Sequence, residues 1–167
     1  SYLNERYITF KIKEESATGI KIPKSAVVEK SFLTIPQQYI TKGGNNSSDG
    51  VYKQVVLEDG TGSVEFVPVS IYSSNETDYY IYTESLQAGD TIVKPGSQET
   101  YLLGVSAPLD GVYNANQGFC TFKRIEILSE TKDNGYYIVK EGTPYGITSY
   151  DYIVLDASGV EENEIIR

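Results

Sequence analysis

The side chains best suited to chemistry in this sequence are three adjacent acidic pairs, Glu14-Glu15, Glu58-Asp59 and Glu161-Glu162. Two carboxylates in one cleft can share the acid and nucleophile roles of glycoside hydrolysis, and clustered carboxylate oxygens can hold Ca²⁺. Neither pattern is completed here. All three pairs fall in turns or tails, where solvated charge is the simpler reading. Glu58-Asp59-Gly60 also lacks the follow-on acids of a D-x-[DN]-x-[DN]-G loop. The 167 residues include no histidine, so the usual acid–base group near neutral pH and the commonest metal ligand are missing. Ser-His-Asp and Cys-His sites are thereby excluded within this chain. A single cysteine, Cys120, allows neither an internal disulfide nor a site built on several thiolates. In the run Phe119-Cys120-Thr121-Phe122 it reads as a small hydrophobe. Gly60-Thr61-Gly62 is a lone G-x-G in a hairpin context rather than a phosphate loop. We therefore expect no catalytic, cofactor-binding or metal-binding residue, no cofactor and no enzyme.

Binding is the remaining class of function, and charge narrows it. The net charge is −9 with 14 scattered basic residues, of which Lys123-Arg124 is the densest pair. Nucleic acid demands a cationic footprint and anionic lipid demands a polybasic run; neither is present. Fifteen tyrosines stand out. Those at Tyr79-Tyr80-Ile81-Tyr82, Tyr136-Tyr137, Tyr145, Tyr150 and Tyr152 fit cross-strand packing. If several of them were exposed together, a sugar platform would be the better account.

The elements that must position these residues are strands. Tyr7–Lys13 alternates, with Ile8, Phe10 and Ile12 on one face and Thr9, Lys11 and Lys13 on the other. Short Val-, Ile- and Tyr-rich runs follow at Ile20–Lys30, Val51–Leu57, Val64–Tyr72, Tyr79–Tyr82, Thr91–Lys94 and Glu99–Leu103. Gly111–Asn114, Phe119–Leu128, Tyr136–Lys140, Tyr150–Leu155 and Glu164–Ile166 complete the set, the last of them outside the residues that the structure describes. No run sustains a helical period, though Thr34–Ile40 and Glu84–Ala88 each have room for one helical turn. Asp59-Gly60 reads as a hairpin turn, and Lys42–Asp49, rich in Gly, Asn and Ser, as a mobile loop. The expected fold is all-β.

An internal repeat is also visible. Gly50-Val51-Tyr52 recurs as Gly111-Val112-Tyr113, and residues 62–71 recur as 118–127. Tyr79-Tyr80-Ile81 returns as Tyr136-Tyr137-Ile138, Ile92-Val93 as Ile153-Val154, and Ser25-Ala26 as Ser106-Ala107. Phe66 and Val69 are three apart, as are Phe122 and Ile125. If each pair faces one core, an extra residue is needed, which predicts bulges at Val67-Pro68 and Lys123-Arg124. The fold class is then two tandem small β-barrel or sandwich modules related by the repeat.

The run Gly19-Ile20-Lys21-Ile22-Pro23-Lys24-Ser25-Ala26-Val27-Val28 resembles the strand by which HlyD-like and RND-type periplasmic adaptors (membrane fusion proteins) enter their membrane-proximal domain. Gly50-Val51-Tyr52, Phe66-Val67-Pro68-Val69, Leu86-Gln87-Ala88-Gly89-Asp90 and Gly89-Asp90-Thr91-Ile92-Val93 follow in that family's order. The resemblance spans Tyr7 to about Lys94. It implies that residues 1–18 end a preceding β-barrel domain, that 19–100 form a membrane-proximal-like module, and that 101–167 form a second, repeat-related one. The Ser31–Asp49 insertion and the second module depart from the usual pattern. What the resemblance implies is a non-catalytic adaptor of an efflux or secretion system, extracytoplasmic in the cell envelope. It would dock to an inner-membrane transporter and to neighbouring adaptor copies. The start shows no leader pattern and Tyr2–Lys13 reads at once as strand, so we expect a piece of a longer chain, membrane-anchored by a segment outside it. The alternative is an extracellular β-rich binding module that contacts cell-wall glycan.

Overall fold

In the computed structural model, residues 7–9, 19–45, 47–115 and 118–160 are described. Their regular structure is strand: β1 (Tyr7–Thr9), β2 (Gly19–Pro23), β3 (Val28–Pro36), β4 (Thr41–Gly43), β5 (Ser48–Val56), β6 (Gly62–Pro68), β7 (Ser70–Ser74) and β8 (Asp78–Tyr82), followed by β9 (Thr91–Val93), β10 (Thr100–Leu102), β11 (Ser106–Asn114), β12 (Thr121–Arg124), β13 (Ile127–Glu130), β14 (Tyr136–Lys140) and β15 (Tyr152–Val154). Among the described residues the helical pieces are two single 3-10 turns, Lys24–Ala26 and Gln37–Tyr39. The fold is all-β.

Two compact units are formed. One comprises residues 31–107; the other joins residues 1–30 to 108–167. The strand Gly19–Pro23 thus packs with the C-terminal residues, because all five of its positions pair with Tyr136–Lys140.

Residues 31–107 build one sheet from β10, β9, β5 and β4, with β6 also on β5, and a second from β3, β8 and β7. Ile35, Tyr39, Val51, Val67, Val69, Ile81, Leu86, Ile92 and Leu103 close the core between them. Burying such side chains is worth roughly 1.5–3 kcal/mol each. The discontinuous unit pairs β1, β15, β11 and β12 in one sheet and β13, β14 and β2 in another. Its core is Ile20, Ile22, Ala26, Val112, Ile125, Val139, Ile147 and Ile153.

A few local pairings run alike in the two units. Gly50, Val51 and Tyr52 face Pro68, Val67 and Phe66; Gly111, Val112 and Tyr113 face Arg124, Lys123 and Phe122. Lys53 is opposite Ile92, and Asn114 is opposite Ile153. Each unit also has a strand ending in proline, at Pro36 and Pro23, followed by a 3-10 turn. The turns close by Ile40 N–H to Gln37 O and Val27 N–H to Lys24 O, both at 3.1 Å. Proline supplies no donor to carry a ladder on.

Several expectations are corrected by these pairings. No register shift occurs at Val67-Pro68 or Lys123-Arg124. The irregularities lie later, between Ile71 and Ser73 and between Ile127 and Ser129. The odd spacing of Phe66 and Val69 needs no bulge, because the two side chains lie on opposite faces. Val67 and Val69 enter the core, while the Phe66 ring lies over Gly43 and Gly50. Phe122 lies over Gly111 in the same way. In register, Ile81 corresponds to Val139 rather than to Ile138, one residue off the sequence alignment. Ser25-Ala26 lies in a 3-10 turn and Ser106-Ala107 in a strand, so they are not counterparts. Lys42–Asp49, expected as a loop, closes as a hairpin with Lys42 opposite Asp49 and an ion pair of 2.8 Å between them.

Candidate interaction sites

Glu58-Asp59 lies at the turn between β5 and β6, as the hairpin reading expects. Leu57 and Gly60 close the turn at 2.8 Å, and Gly60 has a φ of 82°. The Thr61 hydroxyl and amide both donate to the Asp59 carboxylate, and these bonds hold its pKa below the ordinary value. The residue is thus a turn cap. Glu14-Glu15 and Glu161-Glu162 lie outside the described residues. No group of three or more metal-ligating side chains converges among the described residues. Cys120 is fully buried.

The tyrosines divide. The Tyr39 and Tyr101 rings pack tilted at 47° with centroids 5.7 Å apart, while Lys21 and Lys24 sit over Tyr136 and Tyr137 at 4.6 and 5.1 Å. These are packing roles. Tyr145, Tyr150 and Tyr152 are instead exposed, as is Phe119. Tyr145 also holds a left-handed φ of 63°, uncommon for a residue with a bulky side chain.

Beside these aromatics, within the discontinuous unit, lies a hollow of about 410 Å³ lined by Asn114, Phe119, Thr121, Lys123, Gly146, Thr148 and Asp151, a size within the range of small-molecule sites. Strand geometry puts Asn114 opposite Thr121, and Lys123, two residues along, on the same face. The turn before β15 supplies the other wall. There the Thr148 amide donates to Asp151 Oδ2 at 2.8 Å, and the Asp151 amide donates back to Thr148 O at 3.1 Å.

The same turn precedes β9 in the other unit. The Gln87 amide donates to Asp90 Oδ2 at 2.9 Å, and Asp90 N–H returns to Gln87 O at 3.1 Å. Here the corresponding space is occupied by Lys53, whose ammonium is 3.0 Å from Asp90 Oδ2 and 3.3 Å from Ser85 O. Burial pushes the Asp90 carboxyl up, but the Gln87 amide and the Lys53 ammonium outweigh it and lower its pKa.

The third feature is the far end of the β5–β6 hairpin. β9 pairs with β5 at Tyr52 and Lys53, whereas β6 continues with β5 to Val56. Val56 is 76% exposed, and Leu57 and Val64 are also open to solvent. In the sequence alone Lys123 stands out only as half of a basic pair and of an expected bulge, and nothing singles out this apolar end, nor Asn114, Thr148 and Asp151. The signal for the last two was present: Gln87-x-x-Asp90 and Thr148-x-x-Asp151 each stand two residues before the matched Ile92-Val93 and Ile153-Val154. No helix among the described residues is long and apolar enough to cross a membrane. No protein-family model, curated protein or solved structure matches the chain.

Proposed function

We propose that the chain is a non-catalytic, extracytoplasmic part of a membrane fusion (adaptor) protein of HlyD type, docking to an inner-membrane transporter and to neighbouring copies through β-sheet surfaces. The observation that carries this reading is the β5–β6 hairpin end. Exposed Val56, Leu57 and Val64, on the part of the β5–β6 pair that runs past β9, cost solvation, and such apolar surface marks contact sites. Of the adaptor-like motifs, Gly50–Tyr52, Phe66–Val69 and Gly89–Val93 share one unit, which supports the same reading, whereas Gly19–Val28 belongs to the other. The matching ladders of the two units further support descent from one duplicated module. In the full-length protein, removing residues 19–167 is expected to leave membrane anchoring intact and to abolish co-purification with the transporter and the export it supports. Val56→Asp with Leu57→Asp is expected to do the same with the fold retained. Unchanged export and co-purification after the deletion would refute the adaptor reading.

The exposed Phe119, Tyr145, Tyr150 and Tyr152 favour a second reading, a β-rich module that contacts cell-wall glycan. Pull-down on purified cell wall tests it, with Tyr150→Ala and Tyr152→Ala as the variants expected to lose retention.

A further inference from the structure

We infer that the outer edge of β6 pairs with β6 of a second copy of this chain, antiparallel and about a two-fold axis at Val64. This gives the neighbour-copy contact proposed above a partner strand and a register, and it rests on that reading for its place in the full-length protein. The ladder with β5 fixes which backbone groups are left over. Bonds at its two ends, Val69 N–H to Asp49 O and Leu57 N–H to Thr61 O, are both 2.9 Å. They place Val67, Glu65 and Ser63 at the hydrogen-bonded positions, opposite Val51, Lys53 and Val55. Gly62, Val64 and Phe66 therefore turn their N–H and C=O groups away from β5. Among the described residues no backbone group meets them there. Pro68 holds the next outward position, where it has no N–H to offer, and it ends the open stretch. Val64 is 53% exposed. The Phe66 ring leans back over Gly43 and Gly50 and does not overhang the open side.

Such a row of unpaired groups is a template for another strand. Charge and register select a second β6 as that strand. With Val64 opposite its own copy, Gly62 faces Phe66 and Ser63 faces Glu65, so no like charges meet. About six backbone hydrogen bonds then form, and the two Val64 side chains meet on one face. Moving the axis to Glu65 would set two carboxylates against each other. Moving it to Ser63 would pair only Gly62 with Val64 and leave Phe66 opposite the turn at Gly60. The contact is isologous and closes at two copies. A ladder this short belongs to the weak class of interfaces, and the net charge of −9 on each copy opposes it at a distance. Anchoring in one membrane raises the effective concentration that such a contact needs.

The test uses the whole chain, in sedimentation equilibrium and in ¹⁵N spectra from about 10 µM to 1 mM. A monomer–dimer equilibrium is expected, tightened by added salt, with concentration-dependent shifts at the amides of Gly62, Val64 and Phe66. Val64→Pro removes the central outward N–H, which β5 does not use, and is expected to abolish the dimer with the β-sheet circular dichroism retained. Ser63→Glu is expected to weaken dimerisation at least threefold. Ser63→Lys, set against Glu65 of the second copy, is expected to tighten it at least twofold. Gln98→Lys, which adds the same charge on an exposed turn, is expected to leave it unchanged. A chain that stays monomeric to about 1 mM, a dimer untouched by folded Val64→Pro, or Ser63→Lys acting no differently from Gln98→Lys would each overturn the edge pairing. Those results would leave the adaptor reading standing, because the deletion of residues 19–167 tests it separately through the transporter.

Discussion

A methyl group added at Gly50 should destabilise the protein more than any conservative surface change, and the structure sets the size. A Cβ there would lie 2.4 Å from Phe66 Cζ and 2.5 Å from Val67 O, where ordinary contact begins near 3.4 Å. The ring can swing aside at the expense of its edge-on contact with Tyr52, at 5.9 Å and 70°. The carbonyl cannot move without opening the ladder in which Val51 faces Val67. Overpacking of this kind costs typically 1–3 kcal/mol; with a backbone atom as the obstacle we place Gly50→Ala at about 3 kcal/mol. For a chain of this length that is a fall of roughly 6–12 °C in melting temperature. Gly111→Ala should behave alike, since its Cβ would lie 2.3 Å from Phe122 Cζ and 2.6 Å from Lys123 O. Gly104→Ala is the control. A Cβ there meets nothing within 4 Å, so it should be neutral, or stabilising by up to about 1 kcal/mol through the unfolded chain. Urea denaturation and thermal melts followed by circular dichroism measure all three. If Gly50→Ala and Gly111→Ala lie within about 0.5 kcal/mol of Gly104→Ala, the ring-over-glycine packing is not what holds these ladders.

Asp90→Asn leaves Lys53 without its carboxylate and should cost about 2 kcal/mol at neutral pH. Because the Asp90 pKa is lowered in the folded protein, its stabilisation is present above the ordinary value of 3.8 and lost as the pH falls below it. Parent and variant stabilities measured against pH should therefore converge in acid. Ile22 is fully buried, so Ile22→Ala should lower the unfolding free energy by about 2–5 kcal/mol in urea titrations. Cys120 is likewise fully buried, and mass spectrometry should show maleimide labelling only once denaturant opens the fold.

Strand positions were legible where the signal was local. Tyr136–Lys140 was read with the boundaries it has, and the Asp59-Gly60 turn closes as its residues dictate. The Ile20–Lys30 strand was read as one element, but Pro23 ends it and a 3-10 turn intervenes. Gly43 and Gly44 looked like breakers of structure. Gly43 is instead required by a ring twenty-three residues away, since a Cβ on it would meet Phe66 at 2.6 Å. No pattern within Lys42–Asp49 announces that. The bulges were misplaced for a related reason: the phase argument assumed that both phenylalanines point into the cores. The hollow was illegible because its lining comes from β11, β12 and the turn before β15, which are brought together only by strand pairing.

The division of the chain also sets an order of events during synthesis. Every strand of the 31–107 unit has been made by the time Ala107 leaves the ribosome. β2, made much earlier, has no ladder until Tyr136–Lys140 exists, and β1 none until Tyr152–Val154 exists. At about 5–20 residues per second, the ~50 residues still to come take several seconds. Throughout that interval Ile20 and Ile22 stand in an unpaired apolar edge, while a finished domain is already attached just downstream. β1 and β2, made ahead of that unit, are thus among the last of the described strands to pair, and that edge is where a chaperone would find purchase.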